Sequence, residues 1–124
     1  MSVSSKRRSS RGEMKVEDLL DFLHLPYEVE YVYENLFANS GKPLRFDFAV
    51  FDDEGEVSAL IEVQGEQHYQ SVNRFGGKNA LQRQKFNDAK KRSFCAWNGL
   101  NLIEIPYWEI EALTAESLFQ KIEG

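Results

Sequence analysis

Cysteine is almost absent from this chain: Cys95 is the only one in 124 residues. A lone thiol excludes an internal disulfide and suits a reducing compartment, so a cytoplasmic protein is expected. Histidine is nearly as scarce, with only His24 and His68, and there is no Cys-x-x-Cys pair. That excludes the common structural zinc sites and a histidine-built nuclease finger. No apolar run approaches the roughly 20 residues of a membrane span. The basic N-terminus (Lys6, Arg7, Arg8, Arg11) is not followed by an apolar segment, so no secretory signal is expected.

What is present is a globular composition. Hydrophobic residues make up 42%, with nine Phe, five Tyr and two Trp, enough for one core and too little chain for two. Residues 1–13 are rich in Ser, Arg, Lys and Gly without periodicity and read as a disordered arm; residues 14–124 read as a single domain. The net charge of −5 speaks against nucleic acid until its distribution is considered. Residues 13–69 carry three basic and fourteen acidic groups, whereas residues 70–92 carry seven basic groups against Asp88 alone. A local basic segment matters more for phosphate binding than the total.

Periodicity gives the order of elements. Val16 to Leu23 has the apolar spacing of a short helix and stops before Pro26. Glu28–Leu36, Arg45–Phe51 and Val57–Gln64 read as strands, the last two joined by the acidic turn Asp52-Asp53-Glu54-Gly55 and so paired antiparallel. Lys78–Asn98 lacks proline and internal glycine and reads as a long helix. Asn101–Ile105 is a fourth strand, and Thr114 caps a last helix through Ile122. The result is α-β-β-β-α-β-α, an α/β domain with a mixed four-stranded sheet flanked by helices.

Two strands carry charge where charge is costly. Asp47 lies inside one apolar run, and Glu62 and Gln64 lie two apart near the end of the next, hence on one face. Phe46 and Phe48 are expected on the face opposite Asp47. Two carboxylates so placed suggest a divalent ion, and an oxygen-only donor set suits Mg²⁺ or Mn²⁺. Such a site suggests phosphodiester hydrolysis. On the long helix, Gln84, Asp88, Lys91 and Cys95 fall within an arc of about 60°. This stripe has the composition of an active-site wall, with Phe86 and Trp97 on the other side, free to pack. His68, in the loop after the third strand, is of the residue type most often used for proton transfer near neutral pH. Cys95 is expected to pack, and His24 to be structural. Among the basic residues, Arg74, Lys78, Arg83 and Lys85 are the candidates for DNA backbone contacts, which give salt dependence and not sequence choice.

Taken together, these segments resemble the PD-(D/E)XK nuclease superfamily, whose core is α-β-β-β-α-β. Its pattern of Asp, then Glu or Asp, one residue and Lys would fall on Asp47, Glu62 and Gln64. The branch most similar is that of the very-short-patch-repair endonuclease and related small phage and bacterial proteins. Segments like theirs occur here in order: R-F-D-F at Arg45–Phe48, G-E-Q-H-Y at Gly65–Tyr69, F-G-G at Phe75–Gly77, D-x-x-K at Asp88–Lys91 and N-L-I-E-I-P-Y-W at Asn101–Trp108. The resemblance covers about residues 16–113. It implies a restriction-endonuclease-like fold, DNA as partner and a phage or bacterial setting. It also implies metal ligands Asp47 and Glu62 with the carbonyl of Val63, and a catalytic His68. Gln64 departs from the pattern, because a neutral amide can bond water or phosphate but supplies no positive charge. A lysine reaching in from the helix could substitute.

Two functions follow as expectations. One is a metal-dependent DNA endonuclease, nicking activity included. Asp47 and Glu62 would hold the metal, Gln64 and Asp88 would shape its surroundings, His68 would move protons and Lys91 would stabilise phosphate charge. The other is a nuclease-fold module that binds DNA or protein without cutting. A domain this small has little surface for reading a long site, so a homodimer or a larger assembly is a further expectation.

Overall fold

A computed structural model of the chain describes residues 10–71, 73 and 76–124. The elements run α1 (Arg11–Phe22), β1 (Tyr27–Phe37), β2 (Pro43–Phe51), β3 (Val57–Gln64), α2 (Gly77–Trp97), β4 (Leu102–Pro106) and α3 (Ala115–Glu123), with single 3₁₀ turns at Glu66–His68 and Tyr107–Glu109. The sheet order is β1-β2-β3-β4. The first three strands form antiparallel pairs, and β4 joins β3 in parallel after the α2 crossover. This is the mixed, helix-flanked sheet that periodicity predicts.

Helix α1 starts at Arg11, earlier than apolar spacing suggests. Ser10 Oγ accepts the Glu13 N–H and Glu13 Oε1 accepts the Ser10 N–H, a reciprocal cap that satisfies two otherwise orphaned donors. Residues 11–13, read from composition as part of an arm, therefore belong to the helix; residues 1–9 lie outside the described residues. The turn between β2 and β3 closes as expected. Asp52 Oδ1 accepts the N–H groups of Glu54 and Glu56, and Gly55 takes a φ of 80°, which a side chain would resist.

The sheet separates two cores. On one face α1 and α3 bury Val16, Leu20, Leu118 and Ile122 against Phe48, Val50, Ala59, Ile61, Ile103 and Ile105. On the other, Leu36, Leu44, Phe46, Ala49, Leu60 and Cys95 pack together, Cys95 coming from α2. Phe46 and Phe48 are both fully buried, and each contributes about 1.5–3 kcal/mol. They do so in different cores, so the strict alternation expected across Asp47 is broken. Opposite this point β1 carries Glu30 at a φ of 52°, a left-handed conformation uncommon outside glycine. Tyr27 and Val29, before Glu30, pack on the first core, and Tyr31 and Tyr33, after it, on the second. Both strands thus change face beside Asp47.

Helix α2 is amphipathic in an unusual sense. Its buried positions are Asp88, Lys91 and Cys95, the stripe expected to face inward. The large apolar groups expected to pack on its other side do not: Phe86 is 50% and Trp97 91% exposed. The helix is held instead by polar bonds and by Phe94 and Cys95 in the second core.

Candidate active site

The site lies where β2 and β3 part. Ladder pairing between these strands runs from Phe51 and Val57 to Phe48 and Ile61. Beyond that, two carboxylates bridge the gap. Glu62 Oε2 accepts the Asp47 N–H at 3.0 Å, and Asp47 Oδ2 accepts the Val63 N–H at 2.7 Å. Each acid thus satisfies a backbone donor on the opposite strand, which a buried N–H requires. The two residues picked out of the apolar runs are brought together by this exchange.

Lys91 enters from α2. Its Nζ lies 2.9 Å from Glu62 Oε1, with the two side chains 10% and 6% exposed, and 5.5 Å from the centroid of the Phe46 ring. This ion pair leaves Asp47 as the second acid of the site without a matching cation. Burial pushes the Asp47 carboxyl up to about 8, the Glu62 carboxylate pushes it the same way, and the Val63 N–H opposes them. Glu13 on α1 adds to the upward push. The Glu62 carboxyl is also raised by burial, against the pull of Lys91. A proton on Asp47 would balance the cluster. Ionised, Asp47 would be the acid of this pair without a cation of its own.

The close approach of α1 depends on Gly12. A Cβ there would sit 2.8 Å from Val63 Cγ1 and 3.2 Å from Ile110 Cδ1, so any side chain would press the helix away from β3. Glu13, which follows it, was hidden from sequence reasoning because it fell in the presumed arm.

His68 and Asp88 form a second buried pair, 2.9 Å between Nδ1 and Oδ2. Gln84 Nε2 donates to the other Asp88 oxygen at 3.1 Å. Burial works against the charged form of Asp88. The bond and the positive potential of His68, with the Gln84 amide, outweigh it and hold the carboxyl below its usual range. When the ring is neutral, an Nδ1–H directed at Asp88 leaves Nε2 as the unprotonated nitrogen.

Gln64 is buried and hydrogen-bonded at both ends of its amide. Its Nε2 donates to Glu104 Oε2 at 2.7 Å, and its Oε1 accepts from the Tyr69 hydroxyl. Glu104, on β4 directly beside Glu62 in the parallel register, also accepts the Arg92 Nε–H, which is shared between its two oxygens at 2.9 and 3.0 Å. Tyr69 in turn lies against Trp108, ring centroids 4.8 Å apart. Glu104 and Tyr69 were missed, although Glu104 carries the same signal as Asp47: an acid in the middle of an apolar strand.

Of the four cations expected on DNA, Arg74 lies outside the described residues. Lys78, Arg83 and Lys85 are exposed. Arg83 faces a cleft shared with the β1–β2 turn. Lys78 and Lys85, seven apart, share a different side of the helix. Cys95 is buried, as expected of a packing residue, and burial pushes its thiol up to about 11.

The donors available to a metal are few. Among the described residues no group of three or more His, Cys, Asp or Glu is arranged to hold an ion. The two carboxylates of Asp47 and Glu62 fit a hard cation only if a backbone carbonyl and water complete the set. Val63, whose N–H meets Asp47, is the backbone position that the sequence resemblance suggests for that role. The raised Asp47 carboxyl fits such an ion, since a divalent charge would take the place of its proton.

No family model and no solved structure matches the chain. It is similar to two viral proteins, both named only as uncharacterized. Protein 094L of Frog virus 3 (isolate Goorha) is 47% identical over 53 residues, 41% of this chain and 34% of that protein. Protein 307L of Invertebrate iridescent virus 6 is 33% identical over 71 residues, 56% of this chain and 36% of that protein. The chain spans about a third of the length of the curated relatives it matches. No helix among the described residues is long and apolar enough to cross a membrane.

Proposed function

We propose that this chain is a metal-dependent DNA endonuclease of the PD-(D/E)XK type, with a restriction-endonuclease-like fold. One observation carries the reading: two carboxylates, half-buried Asp47 and buried Glu62, meet in the gap between β2 and β3, with the Lys91 ammonium 2.9 Å from Glu62. Asp47 and Glu62 with the Val63 carbonyl would hold Mg²⁺ or Mn²⁺, which supplies Lewis acidity toward a phosphate oxygen. Lys91 brings from the helix the positive charge that Gln64 does not supply from the strand. It balances one acid and faces the developing phosphate charge. His68, oriented by Asp88, carries a proton through Nε2. Gln64 fixes the β3–β4 end of the site through Glu104 and Tyr69.

The test is a plasmid-nicking assay with Mg²⁺, Mn²⁺ or EDTA, run beside Asp47→Ala. Metal-dependent nicking that the variant loses supports the reading. Intact supercoiled, linear and branched DNA, with metal binding unchanged in the variant, overturns it.

A second reading has its own support. Gln64, which in an active site should be open to water or phosphate, has both ends of its amide occupied. A nuclease-fold module that binds without cutting would show this. It predicts salt-dependent binding that EDTA does not change, and cutting abolished by Glu62→Ala excludes it.

A further inference from the structure

The face of α2 next to the carboxylate site borders a cleft of about 660 Å³, within the range that encloses a small ligand. One wall is the β1–β2 turn, with Lys42 and Pro43; the other is α2, with Gln82, Arg83, Phe86 and Asn87. Asn87 precedes Asp88 and stands one helical turn before Lys91, so the cleft lies on the face of α2 beside the one that carries the buried cluster. The walls are tied together, because Lys90 Nζ donates to the carbonyl of Phe37 at the end of β1.

The charge and chemistry of this cleft set it apart from the chain. The net charge is −5, yet the described residues lining the cleft include two cations and no acid. Lys90 adds a third positive charge at the rim, 5.9 Å from the Phe86 ring centroid. Phe86 itself is 50% exposed, an uncommon place for a large ring at mid-helix. A positive groove with an accessible ring and neutral amides fits a nucleic-acid strand with free bases. Cations meet phosphates, the ring meets a base face, and Gln82 and Asn87 can bond base edges. A base paired in a duplex has neither its face nor its pairing edge free.

We propose that this cleft seats an unpaired DNA strand and delivers it to the carboxylate site. The protein would thus act on single-stranded, flapped or otherwise opened DNA. The proposal rests on the nuclease reading for its choice of DNA, but the binding itself does not require cutting.

The experiment is fluorescence anisotropy in EDTA with a labelled twelve-nucleotide dT strand, a duplex of the same length and the matching oligo-U. Binding of dT at least about tenfold tighter than the duplex is expected. Phe86→Ala should weaken dT binding by about 5- to 160-fold, the range for loss of one stacked base. Lys42→Glu with Arg83→Glu should weaken it more and flatten its salt dependence. Lys121→Glu, a single charge reversal on α3, should alter it less than twofold. Equal affinity for the duplex, or no effect of Phe86→Ala and the double charge change in proteins with native circular dichroism, would overturn the proposal. So would tighter binding of oligo-U, or equal displacement by poly-glutamate, which would assign the cleft to RNA or to an acidic peptide. Strand binding without cleavage by any metal would leave the cleft assigned and sink the nuclease reading. Duplex cutting indifferent to Phe86→Ala would do the reverse.

Discussion

Replacing Asp47 by asparagine should stabilise the protein at alkaline pH and change little near pH 5. The Asp47 carboxyl is pushed up to about 8 from an ordinary value of 3.8, by burial first and by Glu62 second. A group raised in this way binds a proton in the folded state that the unfolded chain has released. Its contribution is complete below about pH 4 and is lost as pH rises toward 8. Each pH unit of that window is worth about 1.4 kcal/mol, which bounds the loss at roughly 5–6 kcal/mol. Movement of Lys91 toward the newly charged Asp47 would absorb part of it, so a fall of about 2–4 kcal/mol between pH 5 and 9 is expected. Asparagine keeps an acceptor for the Val63 N–H and cannot ionise, so its fall should be markedly shallower. The assay is urea unfolding in EDTA at one-unit pH steps. Parallel pH profiles for the two proteins, or a wild type more stable than Asp47→Asn at pH 9, would refute the argument. Mg²⁺ or Mn²⁺ adds a second arm. At a hundred times its dissociation constant a ligand stabilises by about 2.7 kcal/mol. In wild type at pH 8 that gain should be accompanied by proton release into weak buffer, and in Asp47→Asn both should vanish.

The other expectations are simpler. Lys91→Met leaves Glu62 buried without its cation and should cost about 3–5 kcal/mol in urea unfolding at pH 7; a loss under 1 kcal/mol would mean the ion pair is not formed in solution. Gly12→Val presses on Val63 and Ile110 and should cost about 1–3 kcal/mol, while Ser10→Ala, which removes only the cap, should cost about 0.5–2 kcal/mol; equal stability of Gly12→Val and wild type would show that α1 does not approach β3. Asp88→Asn removes a carboxyl held below its usual range, so the stability that wild type loses as pH falls below about 4 should be smaller in the variant. Leu118→Ala empties a fully buried position between α3 and the sheet and should cost about 2–5 kcal/mol, read as a lowered urea midpoint.

The residues that sequence could reveal are those whose chemistry contradicts their surroundings. Asp47 and Glu62 interrupt apolar strands, and Asp88 and Lys91 share a helical stripe with Cys95; the structure buries all five or nearly so, and brings Asp47, Glu62 and Lys91 into one cluster. Periodicity identifies such residues because strand and helix alternation are local properties. It fails where the chain leaves ideal geometry. The exchange of faces at Glu30 and Asp47 needs a left-handed residue in mid-strand, and no composition rule announces a glutamate in that role. Glu13 and Gly12 were lost for a related reason, since a helix cap overrides the weak apolar signal of the first turn.

Gln64 is the instructive case, because its meaning changes with its neighbours. In the sequence alone it is a neutral amide two residues after an acid, where the family resemblance expects a lysine. In the folded chain it lies between Glu104 and Tyr69, and the cation stands on α2, against the adjacent Glu62. A lysine at position 64 would also face Glu104, whose oxygens already accept from Arg92. It would then compete with Arg92 for one acid while Lys91 kept the other. The positive charge at this site is therefore set by three elements together: β3 presents Glu62, β4 presents Glu104, and α2 sends one cation to each. Substituting Gln64→Lys should accordingly weaken the hold of Arg92 on Glu104 and leave the Glu62–Lys91 pair intact. No motif that spans β3 alone can register that arrangement.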